Sequence, residues 1–402
     1  MKKGLMAIFV VVALLLSGTY FMGEKVYKET HQFFSQQNEN GISYHIINYE
    51  KGFFESNLES TVTLQVDSGA SVTFVINTLI KNYPYKATLD SQIKFKSTSL
   101  NKKAEQYFST SQWFSSEMQV SLLGRLSGDF GVVAGAYKNA QETLSNEALN
   151  LHYSLNLKDK SGMFAMDVAN FKVANQLINV DVTNFSLSSH FNALSIRAPS
   201  EYAVNVQDVR VKINNGNIHI KDITFKGDST SSKSGDKINS NNQLDMAYYQ
   251  FGTDKNIYTD SEIQLNFSDI DADTLDKLNQ ATENSAIIEG LLIQLVQKGF
   301  NVDLKSLKST TPWGNIAGSM HISVQKGAPL RNILTNPFVL LDYVDGNAHL
   351  NISEVFLKEP SFAFVLQLAL SSQLLQKQDK QLKLEAQLKK GELVVNGKQF
   401  PL

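Results

Sequence analysis

Seven histidines, and the acidic residues around them, are the side chains of this 402-residue chain with the most capacity for chemistry. They are His31, His45, His152, His190, His219, His321 and His349. A helical zinc site of the H-x-x-x-H or H-E-x-x-H kind needs two histidines one turn apart, and no pair has that spacing. His152, His219, His321 and His349 fall in runs of alternating polarity, mostly at polar positions, where a hydrogen bond to water or a neighbour satisfies the ring. The chain has no cysteine, which excludes thiol catalysis and thiolate metal sites. Asp269, Asp271 and Asp273 imitate the first three ligands of an EF-hand loop. Thr274, however, stands where that loop needs glycine, and Gln280 where it needs a bidentate glutamate. Helix N-capping is the better reading of this acidic run.

Nucleophile-elbow, Walker A and G-x-G-x-x-G patterns are missing, and Gly128 and Gly131 beside Asp129 lack phosphate-loop spacing. The reading is therefore of a non-enzymatic protein with no catalytic residue, metal or cofactor assigned. A periplasmic hydrolase is kept as an alternative, because the members of a triad are neighbours in space without fixed order in sequence.

The elements that would position any site are mainly strands. Leu151, Tyr153, Leu155 and Leu157 alternate with His152, Ser154, Asn156 and Lys158, and Val62, Leu64 and Val66 alternate with Thr61, Thr63 and Gln65. One face of such a strand goes to a core and the other to water. The same period recurs at Val72 to Ile76, at Phe164 to Val168, at Val180 and Val182, at Val204 and Val206, at Val209 to Ile213, and in the last sixty residues. Asn214-Asn215-Gly216 reads as a hairpin turn.

Helical spacing is confined to a few segments. One follows Asp271 through Leu275 and Leu278, and one runs from Ile287 to Val296 before Gly299. Another spans Leu330–Tyr343 with Pro337 starting or kinking it, and a fourth spans Phe362–Leu375. The fold class is α+β, β-dominated, with long, mostly antiparallel sheet and a few packed helices. The polar run from Gly227 to Asn242 is either a boundary, dividing the body into 25–226 and 243–402, or a long hairpin tip.

The N-terminus sets location. Lys2 and Lys3 precede an uncharged run, Gly4 to Gly23, whose length of about 20 residues gives about 30 Å of helix, the thickness of a bilayer's hydrocarbon. A cleaved signal peptide has a shorter apolar region. Tyr20, Phe21 and Met22 carry this one on, so residues 1–24 read as an uncleaved single-pass anchor and 25–402 as the body. The positive-inside bias puts the N-terminus in the cytoplasm and the body outside. With a formal charge of −2 and no long basic cluster, nucleic acid is excluded as a partner.

Tyr49-Glu50-Lys51-Gly52-Phe53-Phe54-Glu55-Ser56 follows this anchor and leads into strands. With Thr311-Pro312-Trp313-Gly314 and the ending Gly391 to Lys398, which contains Asn396 and Gly397, it resembles the YdgA/YihF-like (DUF945) bacterial envelope proteins, a family of unknown function. Lys51 stands where similar sequences carry Arg, and Asn82-Tyr83-Pro84 where many carry His-Gly-Pro. The resemblance implies a protein of the bacterial inner membrane with a periplasmic body, and singles out Tyr49, Lys51, Gly52, Phe54, Ser56, Pro312, Gly314, Asn396 and Gly397. It implies no mechanism. Read from the residues alone, Tyr49 to Ser56 is a turn between two strands in which Gly52 permits a positive φ, with Phe53 and Phe54 on opposite sides. The functional expectation is a binding or scaffold role in the envelope, with an envelope protein, a homodimer mate or a lipid as partner. Hydrophobic-ligand binding or transfer is the specific alternative, since a one-sided sheet must have its apolar face covered.

Overall fold

A computed structural model describes residues 2–35, 41–66, 70–213, 216–252, 256–281, 285–328 and 337–400. The chain divides into two compact units, Met1–Gln176 and Leu177–Leu402.

The first unit opens with helix α1 (Lys2–Ser35) and continues with β1 (Ile42–Glu50), β2 (Glu55–Val66), β3 (Ala70–Asn82) and β4 (Lys86–Phe95). Helix α2 (Thr98–Phe108), N-capped by Ser97, leads to β5 (Phe114–Ser121), β6 (Arg125–Val132), β7 (Gly135–Lys138), β8 (Glu142–Asn146), β9 (Leu149–Asn156) and β10 (Gly162–Asn175). Every strand pairing given for this unit is antiparallel. β6 and β7 are two stretches of one arm, and β8 and β9 of the next, so the unit is a meander from β1 to β10.

Its core forms where α1 lies on the sheet. Thr19, Met22 and Val26 are 3%, 0% and 5% exposed, the spacing of one helical stripe. Met22 and Val26 pack on Leu58, Ile80, Ala87 and Leu89, with Phe34, Ile46, Tyr49, Met118 and Val120 around them. Two glycines permit the approach: a Cβ on Gly18 would stand 2.8 Å from the Pro84 carbonyl oxygen, and one on Gly23 3.0 Å from Asn82 Nδ2. The apolar run past Ser17 therefore has two destinations, since Met22 is core while Tyr20 and Phe21 are 51% and 64% exposed. Among the described residues no helix is long and apolar enough to cross a membrane.

The second unit is a longer meander: β11 (Ile178–Phe191), β12 (Ser200–Ile213), β13 (Gly216–Ser231), β14 (Lys237–Phe251), β15 (Ile257–Asp271), β16 (Phe300–Thr311), β17 (Gly314–Val324), β18 (Val344–Ser353) and β20 (Gln381–Lys389). Each pairs antiparallel with the next, and β19 (Gln376–Gln378) and β21 (Glu392–Val395), the latter paired with β22 (Lys398–Phe400), share the outer edge of β20. Helices α3 (Ala272–Gln280) and α4 (Ser285–Lys298) follow β15, and α5 (Pro360–Ser371) follows β18. The polar run at 227–242 is a hairpin: Gly227 pairs with Asn242 and Ser231 with Ile238. Asn214 and Asn215 and residues 330–336 of the expected helix lie outside the described residues, and Pro337–Tyr343 forms a 3-10 turn. The acidic run is indeed a cap, for Asp271 Oδ1 accepts from Thr274 N at 3.0 Å. Asp273 pairs with Arg197 at 2.5 Å.

Candidate functional site: a helix clamp and an apolar sheet face

The Tyr49–Ser56 segment is the turn that clamps α1. Lys51 Nζ pairs with Glu24 of the helix and lies 5.2 Å from the ring centroid of Tyr27 and 5.9 Å from that of Tyr20. Tyr27 in turn meets Tyr49 edge-on at 4.9 Å. Burial pushes the Tyr49 phenol above its ordinary pKa, against the pull of a hydrogen bond involving Ser56. Ser56, 2% exposed, accepts from Gly52 N at 3.1 Å and closes the turn.

Two details of the expected turn are corrected. Gly52 does not take a positive φ; glycine is needed because a Cβ would stand 2.0 Å from the Glu55 carbonyl oxygen. Phe53 and Phe54 do not point apart but touch edge-on, with centroids 4.7 Å apart, since the chain reverses between them and β2. Asn82 donates from its side-chain amide to the Phe53 carbonyl at 3.3 Å and from its backbone N–H to the Phe54 carbonyl at 2.7 Å.

Pro312, Gly314, Asn396 and Gly397 belong to the second unit, and Tyr49, Lys51, Gly52, Phe54 and Ser56 to the first. Gly314, at φ +104, ends a turn in which Thr311 Oγ1 donates to its carbonyl at 2.7 Å; a Cβ there would meet the Ser353 side chain at 2.5 Å. Asn396 and Gly397, at φ +49 and +77, form the tight turn between β21 and β22. The Asn396 amide also accepts from Glu385 N at 2.9 Å and donates to the Gln373 and Leu374 carbonyls.

Three histidines have aspartate partners across the strands: His152 with Asp129 at 2.8 Å, His219 with Asp208 at 2.9 Å and His321 with Asp303 at 2.6 Å. A triad would need a hydroxyl on the histidine ring as well, and among the described residues no hydroxyl is hydrogen-bonded to a histidine ring. Burial works against the charge of Asp208, and hydrogen bonds from His219 and Arg210 outweigh it, holding its pKa below the ordinary value. Tyr153 is pushed up to about 12 by burial and by the charge of Asp129. Hollows of ≈ 650 Å³ and ≈ 660 Å³ are lined by polar side chains such as Glu59, Asn77 and Gln92, and Glu201, Asp228 and Asn241. Among the described residues no group of three His, Asp or Glu side chains could hold a metal ion.

The most extensive feature is apolar. Reading across the register of the second unit, Leu187, Val204, Phe225, Leu244, Ile263, Leu307, Gly318, Leu350 and Leu384 are successive partners on nine adjacent strands. Direct partners share a face, so at about 4.8 Å per strand this rung runs about 38 Å along the sheet. Parallel rungs flank it: Val182, Val209, Ile220, Tyr249 and Tyr258 on one side, Phe267, Val302 and Ile322 on the other. Few of these side chains are fully covered, and Phe225 is 37% exposed.

A line of interrupted pairing keeps the face continuous. Between Val182 and Phe185, Val206 and Val209, Ile220 and Ile223, and Met246 and Tyr249, the apolar spacing is three instead of two. The residues between them, Asn184, Gln207, Asp222 and Ala247, drop out of the ladder. Asn184, Asp222 and Asp260, on alternate strands, hold φ of +48, +49 and +49. One residue in the left-handed conformation resets the alternation, so apolar residues on both sides of the line face the same way. At one end of this face Tyr258 stacks on Tyr249 and touches Trp313, which packs on Phe356 and Phe362. Beyond Phe362, α5 exposes Phe364 at 76%, Val365 at 63% and Leu368 at 59%.

A β-meander protein with a helix clamped to its first strands is the class that this geometry defines. The chain belongs to the family described as "Bacterial protein of unknown function (DUF945)", whose model matches residues 1–402. No curated protein and no solved structure matches it.

Proposed function

We propose that this protein is a membrane-anchored, non-enzymatic binder of hydrophobic ligands in the cell envelope, with the apolar face of the second unit taking acyl chains. The observation that carries this reading is the nine-strand apolar rung with partly exposed side chains. A face of that length loses hydrophobic free energy in proportion to the area left wet, about 25 cal/mol per Å², and an elongated apolar ligand recovers it. A narrow ligand lying along the rung fits a continuous strip better than it fits the polar hollows.

The anchor reading is supported by the uncharged run Gly4 to Gly23 and by the continuous helix α1, on which Val11, Val12, Leu14, Leu15 and Leu16 are 43–66% exposed. Docking of Thr19, Met22 and Val26 in the core favours an uncleaved segment, because cleavage near residue 19 would separate Thr19 from the core it fills. The Lys2 and Lys3 bias then puts the body on the periplasmic side. Organic extraction of the purified full-length protein, followed by mass spectrometry, tests the ligand: stoichiometric lipid supports the reading and lipid-free protein contradicts it.

A further inference from the structure

We infer that four hairpin tips of the first unit form a bilayer-contacting rim, seated in the interface of the same membrane that holds α1. The inference rests on the anchor reading above. In a meander, alternate turns lie at the same end of the sheet, and here the tips of β1–β2, β3–β4, β5–β6 and β9–β10 are joined side by side. Asn82 Nδ2 donates to Phe53 O at 3.3 Å, Leu122 N to Tyr85 O at 2.8 Å, and Leu157 N to Gly124 O at 2.8 Å. These tips carry Phe54 at 59% exposure, Tyr85 at 65% and Leu123 at 75%. The β7–β8 turn at the opposite end is Asn139-Ala140-Gln141.

Helix length places the rim. Gly18 lies against Pro84 of the second tip, and Lys25 Nζ donates to Leu122 O of the third at 3.1 Å. Only Gly4 to Ser17 of the uncharged run therefore extends past the tips, about 21 Å of helix, whereas the hydrocarbon is about 30 Å thick. The run spans it only if residues 18–23, and the tips beside them, enter the bilayer. Aromatic and leucine side chains suit that depth, and Lys86, Lys158 and Lys160 next to the tips can extend their ammonium groups toward headgroup phosphates.

The chain has no cysteine, so single spin labels can be placed without a background. Full-length protein carrying Phe54→Cys, Tyr85→Cys or Leu123→Cys is labelled and reconstituted in vesicles of phosphatidylethanolamine and phosphatidylglycerol, with Leu15→Cys reporting on the anchor and Ala140→Cys on the opposite end. Relative accessibility to oxygen and to a water-soluble nickel chelate is then read by electron paramagnetic resonance. The expected result is an oxygen-to-nickel ratio several-fold higher at the three tips and at Leu15→Cys than at Ala140→Cys. A lipid-like ratio at Leu15→Cys with water-like ratios at all three tips overturns the rim and leaves the anchor standing. A water-like ratio at Leu15→Cys overturns the anchor and the rim with it.

Discussion

Lys51, in the turn after β1, pairs its ammonium with Glu24 of α1 while sitting 5.2 Å from the Tyr27 ring one turn further along the same helix. One side chain thus fixes the helix against sliding along the sheet, and the feature used is its charge. Lys51→Arg keeps both contacts and should leave thermal unfolding of the detergent-solubilised protein unchanged. Lys51→Met keeps most of the stem but no charge, and should expose α1 to limited proteolysis between Ser17 and Ser35. Equal protease resistance of Lys51→Met and wild type would show that the pair is incidental.

The core beneath the clamp is small, so single changes in it should be costly. Met22→Ala should destabilise the first unit by about 2–5 kcal/mol, the usual range for emptying a buried site of this size. Phe21→Ala, at a position 64% exposed, should leave stability nearly unchanged. Gly52→Ala forces the turn to move away from the Glu55 carbonyl and should cost about 1–3 kcal/mol. Chemical denaturation of the three variants checks all of this together.

The interrupted line in the second unit makes a separate demand. Asp222 holds φ at +49, where a β-branched residue is strained by about 1–2 kcal/mol. Asp222→Val should lower the unfolding midpoint, and Asp222→Gly should match or exceed wild type. Equal loss in both would mean that the carboxylate, and not the backbone conformation, matters there.

Acid stability has a defined contributor in Asp208. Its folded-state pKa is below the ordinary value of about 3.9. The stability this adds is complete above that ordinary value and is lost as pH falls through the lowered one. Asp208→Asn should therefore be less stable than wild type near neutrality, with the gap closing as pH drops below the ordinary carboxylate range. Unfolding curves across that window give the comparison.

Much of the architecture could be read from residue order. Alternation at Leu151 to Lys158 and Val209 to Ile213 marks strands, and Asp271 and Gly299 mark helix ends, because these signals are local. Strands β4 to β8 and β14 to β17 and helix α2 are not marked in that reading: β7 and β8 are only four and five residues long, and α2 is a short helix whose stripe of Leu100, Ala104, Tyr107 and Phe108 is set among polar residues behind its Ser97 cap. The apolar face was half visible. Val204 and Val206 were evident, and so were Val209 and Val211, but the step of three between Val206 and Val209 became meaningful only beside the same step in neighbouring strands. The clamp was legible as a motif and not as a mechanism, since the partners of Lys51, Glu24 and Tyr27, lie more than twenty residues earlier.

The most direct test compares lipid bound to the gently extracted full-length protein with lipid bound to Phe225→Asp and Leu244→Asp, both changed on the nine-strand rung and remote in sequence from the anchor. Quantitative mass spectrometry of organic extracts separates lipid held by that face from lipid held around α1. The result expected is stoichiometric lipid on the wild type and its loss from both variants while they remain folded by circular dichroism. Equal lipid on all three proteins, or none on the wild type, would contradict the assignment of the apolar face as the binding site.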